Sequence, residues 1–522
     1  MPDGRWIHTL CRRERGAVVL AATAALGARL LFLGVPLSSD EAGFLLVGGQ
    51  WHRGASLYGD YWVDRPPGLV ALFAMADAGG GRIALRVIGA LCAAASVLAA
   101  GWLARTVAAG RRPAAHASVA LVAALVAALV SSPLLDVTIV NGEILALPFV
   151  LVGLTTLLLS VRPIIGAGST SMRAHGTGRP ATAHLWATLA GASGAAAIMI
   201  KQNFAEVAVA ALVVVAVTGA RAGFRTAAAL VASLSIGAVL VVAPLLAVCV
   251  ARGTALPDLV YAVVSFRSAA EVVIANSATE ATPERAARLV GAVLATGVLL
   301  ALPLLRRLPW RRSSIRAPGS RDPALTWLTV TVMVTEAASI AAGGSYWLHY
   351  LVQLVPGIAL LASAAGVVDG QPASSGPTTP WNATTRLLVV VTASTVVALA
   401  VEIAHPREPT TDEVAVVDYL RDHAGRGSTV VVAYGNAGLV YESGMTSPYP
   451  DLWSLPVRVR DPELYRLSAV LDGSDRPQWL VMHGTSLTTW GVDGTAGDLA
   501  VAQHYDLAFT TDDYRVLEAR SR

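Results

Sequence analysis

Apolar runs of about twenty residues recur along most of this 522-residue chain. That length matches the hydrocarbon thickness of a bilayer when the chain is helical. Inside a bilayer every backbone polar group must be satisfied internally, which restricts the spans to helices or a closed barrel. The first run is Ala17–Leu37, and others follow at roughly 83–104, 115–133, 144–161, 185–200, 203–219, 226–250, 287–305, 324–342, 350–368 and 386–404. The expectation is an α-helical polytopic membrane protein with about eleven spans. Composition agrees: 54% of residues are hydrophobic, 14% are charged, and mean hydropathy is +0.58. A soluble protein of this size carries more charge.

Charge placement orients the spans. Arg5, Arg12, Arg13 and Arg15 precede the first run, and Arg105, Arg111, Arg112, Arg162, Arg306, Arg307, Arg311 and Arg312 fall in alternate loops. Arginine-rich loops stay on the cytoplasmic side. No small-x-small cleavage site precedes Asp40, so the first run reads as an uncleaved span with residues 1–16 inside. The opposite loops collect Asp40, Glu41, Asp60, Asp64, Asp136, Glu143, Asp258 and Glu271. Acids contribute little to orientation, so their crowding outside calls for another explanation. The net charge of +4 is accounted for by the inner loops and implies no nucleic-acid partner. Cys11, Cys92 and Cys249 supply no disulfide framework and no metal knuckle.

Domain boundaries follow from composition. Residues 17–404 form the membrane part, with outer loops 38–82 and 251–286. Loops 163–184 and 306–323 are rich in Gly, Ser, Pro and Arg and read as flexible connectors. The sequon Asn382-Ala383-Thr384 falls inside and is discounted. Residues 405–522 read as a small extracytoplasmic α/β domain. Thr410-Thr411-Asp412-Glu413 has the form of a capping box, and Val414, Val417 and Leu420 give the next helix an apolar face. Thr429–Tyr434, Gln478–His483 and Tyr514–Glu518 read as strands, and Pro462–Leu471 as a helix.

Three stretches carry candidate chemistry. Asp40-Glu41 follows the first span, and a carboxylate there can deprotonate an attacking hydroxyl. Asp64-Arg65-Pro66-Pro67 holds a guanidinium beside a rigid turn, suited to a phosphate. Tyr58, Tyr61 and Trp62 beside it read equally as an interfacial belt or a sugar platform. Lys201 is the only lysine in the chain, in a turn between two spans, where a compact ammonium can meet a phosphate oxygen. Arg29 and Glu336 are charges within spans and require partners.

Asp-Glu after the first span, then Leu-Tyr-x-Asp-x-x-x-Asp-Arg-Pro-Pro-Gly before the second, resembles the GT-C superfamily of integral-membrane glycosyltransferases. It is most similar to the protein O-mannosyltransferase and lipid A aminoarabinose transferase branch, including the RgtA/B/C/D-like domain. The resemblance is good over roughly residues 20–205 and looser to 404. It implies transfer of a sugar from a polyprenyl-phosphate donor to an acceptor hydroxyl of a protein, lipid or polysaccharide. The reaction would take place at the outer face of the cytoplasmic membrane. Asp40 matches the family's candidate base, with Glu41 beside it. Arg65 stands where the family has a basic residue before Pro-Pro, a donor-phosphate contact, and Lys201 falls near another basic position. Asn141-Gly142-Glu143 stands at a second acidic motif, with Asp136 near it, and His349 in Tyr346-Trp347-Leu348-His349-Tyr350 at an aromatic-rich span start. The clustered carboxylates leave room for a divalent metal, but no ligand spacing specifies one.

Two rival readings stay open. A lipid-linked sugar transporter or flippase should show internal repeats with matched broken helices, and none is visible. A non-catalytic envelope protein would leave the outer acids without a role.

Overall fold

The computed structural model describes residues 4–109, 117–165, 180–276, 281–308, 323–369, 383–489 and 491–521. Most of both Arg-rich connectors, and Asn382 of the sequon, lie outside them. In chain order the helices are α1 (Gly4–Leu30), α2 (Ser39–His52), α3 (Pro67–Ala78), α4 (Arg82–Ala108), α5 (Ala117–Val130), α6 (Gly142–Ile165), α7 (Pro180–Ile200), α8 (Glu206–Ala222) and α9 (Phe224–Ala251). Then come α10 (Leu256–Val260), α11 (Phe266–Asn276), α12 (Ala281–Thr296), α13 (Pro323–Ala342), α14 (Val355–Asp369) and α15 (Ala383–Ala404). The remainder is α16 (Thr411–His423), β1 (Val430–Ala433), α17 (Ala437–Ser443), α18 (Ser454–Arg460), α19 (Tyr465–Asp472), β2 (Trp479–His483), α20 (Thr495–His504), β3 (Tyr505–Thr510) and β4 (Tyr514–Ala519).

The chain is a multi-pass membrane protein. Among the described residues seven helices are long and apolar enough to cross a bilayer. An eighth is counted if Thr282–Thr296 and Val298–Arg307, bent by 63°, form one span. A helix lies at each of the eleven expected positions. The shortfall is at α1, which carries Arg13, Glu14, Arg15 and Arg29, and at α5 and α8, with 14 and 17 residues.

The chain divides into two compact units. The first comprises Met1–Leu33, Arg86–Pro244 and Thr282–His405. Its helices approach closely through small residues, the usual means of packing without a hydrophobic drive between spans. A Cβ on Gly191 would lie 1.9 Å from the Leu234 carbonyl oxygen, and one on Gly237 1.9 Å from that of Thr188, so α7 meets α9 backbone to backbone. Charges within this unit attend to broken backbone. Arg29 donates to the carbonyls of Val130 (3.2 Å) and Ile139 (2.8 Å), at the end of α5 and in the irregular stretch after it. Glu336 accepts the Gly357 N–H at the start of α14 (2.7 Å).

The second unit comprises Gly34–Leu85, Leu245–Ala281 and Pro406–Arg522. Composition placed its boundary at 405, yet two earlier segments belong to it. Ser39 Oγ donates to the Gly435 carbonyl (2.9 Å) and accepts from the Ala437 N–H (3.1 Å). Trp62 N–H donates to Pro450 (2.9 Å), and Leu57 N–H donates to Thr254 Oγ1 (3.0 Å). The expected outer loop 38–82 is largely two helices. Pro66 and Pro67 open α3, because a proline in the first turn gives up an N–H that has no helical partner there.

The α/β part has strand order β1-β2-β4-β3, with β1 parallel to β2 and the other pairs antiparallel. Alternate residues face opposite sides. Val431, Leu480 and Leu517 pack with Leu467, Leu471 and Ala500, while Val430, Val481 and Val516 pack with Val417, Leu420 and Leu439. Helices therefore cover both faces. The capping box at Thr410 is present, but the buried face of α16 is Val416, Val417 and Leu420, and Val414 is exposed. The helix expected from Pro462 starts at Tyr465. Edge strand β3 has half of its side chains exposed and lacks the apolar run that marked the others.

The close α7–α9 contact yields a prediction. Gly237→Ala should lower the thermal unfolding midpoint of the detergent-purified protein by several degrees. Gly27→Ala, where a Cβ meets nothing within 4 Å, should not.

Candidate functional site

In the second unit, Asp40 and Glu41 occupy the first turn of α2, and the two differ sharply. Ser38 is the N-cap: the Glu41 N–H donates to Ser38 Oγ (3.2 Å), and Ser38 N–H donates to Glu41 Oε2 (2.9 Å). This is a reciprocal capping box. Glu41 is 1% exposed and is held by the cap. Asp40 is exposed, at the positive end of the helix dipole. Its Oδ1 accepts a hydrogen bond from Trp453 Nε1–H at 2.9 Å. Gly43 makes this contact available, since a Cβ there would lie 2.2 Å from the indole ring. Phe44 packs on Trp453 (centroids 5.4 Å) and lies under the Arg65 guanidinium (5.7 Å). Arg65 is paired with Asp64 at 2.6 Å. Asp40 and Arg65 are thus tied to one aromatic pair.

Tyr61 and Trp62 form neither an interfacial belt nor an exposed platform, being 3% and 4% exposed. Trp62 packs on Phe266 (4.7 Å) and beneath Arg460 (4.1 Å), because a large ring gains more from burial in this unit than from a wet surface. Tyr61 Oη accepts the Ser447 N–H (3.1 Å). Burial pushes the Tyr58 phenol up, well above its usual range. Burial also raises the Asp451 carboxyl, against the pull of its partners Arg460 and Arg466.

The remaining candidates belong to the first unit, where Glu143, Lys201, His349 and Asp136 come together. Glu143 opens α6 with no exposure. Lys201 follows α7 directly, and its ammonium is ion-paired with Glu143 Oε1 and lies 5.3 Å from the Tyr350 ring centroid. His349 sits on the 3-10 turn Leu348–Leu354. Its Nε2 is 3.9 Å from Glu143 Oε1 and its Nδ1 3.4 Å from Asp136 Oδ2. Asn141 has a different part: its Oδ1 accepts the Ile144 N–H (3.2 Å) and caps the start of α6. Two backbone positions here are left-handed without being glycine, Asp136 (φ 61°) and Tyr346 (φ 52°). Such strain persists where the surroundings enforce it, often at functional sites.

Sequence reasoning missed a polar network built from Asn203, Glu206, Ser339 and Gln353. Its only signal was polar residues in apolar runs. Trp453, 413 residues from Asp40, gave none. Among the described residues no three His, Cys, Asp or Glu side chains are grouped to hold a metal ion. Glu143 is engaged by Lys201.

The fold is similar to those of several solved structures. ArnT from Cupriavidus metallidurans bound to undecaprenyl phosphate is similar with a TM-score of 0.60 and 13% identity, over 96% of this chain and 98% of that one. The oligosaccharyltransferase of Archaeoglobus fulgidus in its apo form is similar with a TM-score of 0.57 and 11% identity, over 97% of this chain and 74% of that one. A structure of that oligosaccharyltransferase in complex with Zn and sulfate has a TM-score of 0.52. At these identities the likeness is one of fold. No family model matches the sequence, and no curated protein matches it either.

The two carboxylates of α2 should respond differently to substitution. Ser38→Ala should cost about 1 kcal/mol of stability through loss of the cap. Asp40→Asn keeps the cap and an acceptor for Trp453, and should stay within about 0.5 kcal/mol. Chemical unfolding followed by circular dichroism measures both.

Proposed function

We propose that this protein is a polyprenyl-phosphate-sugar-dependent glycosyltransferase of the cytoplasmic membrane. It would move a hexosyl or pentosyl group to an acceptor hydroxyl on the outer face, with inversion. In this reading the eleven helical segments all cross, the amino terminus is cytoplasmic, and residues 405–522 are outside. The observation that carries it is the ion-paired cluster of the first unit. The only lysine of the chain and a histidine meet over one buried glutamate, in a fold shared with an ArnT structure that holds undecaprenyl phosphate.

The chemistry assigns a role to each group. Asp40 takes the proton of the acceptor hydroxyl as its oxygen attacks the anomeric carbon. The bond from that carbon to the phosphate oxygen breaks, and the polyprenyl phosphate leaves with the electron pair. Lys201 and His349 stabilise that phosphate, and Arg65 stays a candidate phosphate contact of the second unit. Glu41 serves Asp40 indirectly, through the cap that sets the first turn of α2. Glu143 orients the ammonium of Lys201, and Asn141 holds the turn that presents Glu143.

Asp40→Asn should reduce transfer from a polyprenyl-phosphate sugar by roughly 100-fold or more while the protein still inserts. Full activity in membranes carrying that variant would overturn the assignment of the base. Lys201→Ala should raise KM for the donor by about tenfold or more and leave KM for the acceptor unchanged. Steady-state kinetics with each substrate varied in turn separates the two, and an unchanged donor KM would reduce Lys201 to a helix anchor.

A further inference from the structure

The turn that carries Lys201 and the 3-10 turn that carries His349 and Tyr350 are fastened by one pair of amides. Asn203 Nδ2 donates to Gln353 Oε1 (3.1 Å), and Gln353 Nε2 donates back to the Asn203 backbone carbonyl (3.0 Å). Each amide nitrogen has a second bond: Gln353 Nε2 to Glu206 Oε1 (2.7 Å), and Asn203 Nδ2 to Ser339 Oγ (3.0 Å). Both hydrogens of both amides are therefore used.

The Asn203 backbone oxygen can only accept, which fixes the orientation of Gln353; flipping its amide would set oxygen against oxygen. Gln353 is 1% exposed and Glu206 not at all, so neither has bulk water to turn to. Phe204 N–H donates to the Lys201 carbonyl (3.0 Å), which makes 201–204 one tight turn. A shift at Asn203 therefore reaches Lys201, two residues away. On the other side, Gln353 is three residues from Tyr350, whose ring lies under the ammonium, and four from His349.

We infer that Asn203 and Gln353 are positioning residues that set the Lys201 ammonium against the turn carrying His349 and Tyr350, and so shape the subsite for the donor phosphate. The inference rests on the reading of Lys201 as a phosphate contact. Neither amide touches the ligand; each acts through Lys201. The device is specific to this geometry. An apolar pair of similar size could fill the space, but it could not hold the Lys201 turn in register with the 3-10 turn, because packing alone has no direction.

The test uses the full chain in nanodiscs, with undecaprenyl phosphate as probe and undecaprenol as the control lacking the phosphate. Gln353→Met and Asn203→Ser should each weaken binding of undecaprenyl phosphate by roughly tenfold and leave undecaprenol binding unchanged. In a Lys201→Ala background neither substitution should weaken it further, since the residue they act through is gone. Equal weakening in both backgrounds would show a merely structural role and overturn the inference, as would unchanged binding in the single variants. Asn203 is only half-buried, so Asn203→Ser carries the test if Gln353→Met does not fold. Wild-type protein that binds the two lipids alike would instead remove the phosphate reading of Lys201 itself.

Discussion

A charge inside an apolar bundle must be matched, and in the first unit several are matched to places where the helical ladder is interrupted. Arg29 takes up carbonyls at the end of α5 and in the stretch after it. Glu336 takes an amide at the start of α14, and Glu206, the first residue of α8, takes one from Gln353. Glu143 and Lys201, at the start of α6 and just past α7, take each other. Helix ends leave backbone groups without partners, and within a membrane those groups cost several kcal/mol each. Removing one member of such a pair leaves the other buried and unmatched, which costs more than the pair contributes. The bundle breaks its helices where these charges stand, and the breaks bring side chains from distant segments together.

The second unit meets a different constraint. Its sheet is small, and its covering helices come partly from far away in the chain. Ser39 bonds to the turn after β1, and Gly43 admits the indole of Trp453. Phe44, Trp62 and Phe266 bury apolar surface that the α/β part cannot bury alone. The acidic first turn of α2 thus has two faces with different physics. Glu41 is consumed by the cap, and Asp40 is left exposed with one oxygen held. A dipeptide that looks symmetrical in sequence is divided by the helix it begins.

Much of the site could be read before any fold was known, for a physical reason. Polar residues in apolar surroundings are costly, so Asp40, Glu143, Lys201 and His349 stood out. Roles were harder to read. Asn141 belongs to a helix cap because its side chain reaches back to Ile144. Tyr61 and Trp62 are core residues because loop 34–85 packs within the second unit, which composition cannot show. Trp453 carried no mark, and Asn203 and Gln353 only that of a polar residue in an apolar run, since a tryptophan or an amide is ordinary until its partner is known.

The sequence by itself determined the class of fold. The length of its apolar runs requires membrane helices, and the short apolar strands with their capping box require an α/β part at the carboxyl end. Those are local properties, set by bilayer thickness and backbone periodicity. Only the tertiary structure decided that Glu143 meets Lys201, that Trp453 holds Asp40, and that residues 34–85 and 245–281 belong with 406–522. Each of these is a contact between segments far apart in the chain, and hydrophobic patterning constrains which face of a helix is buried without naming what is buried against it.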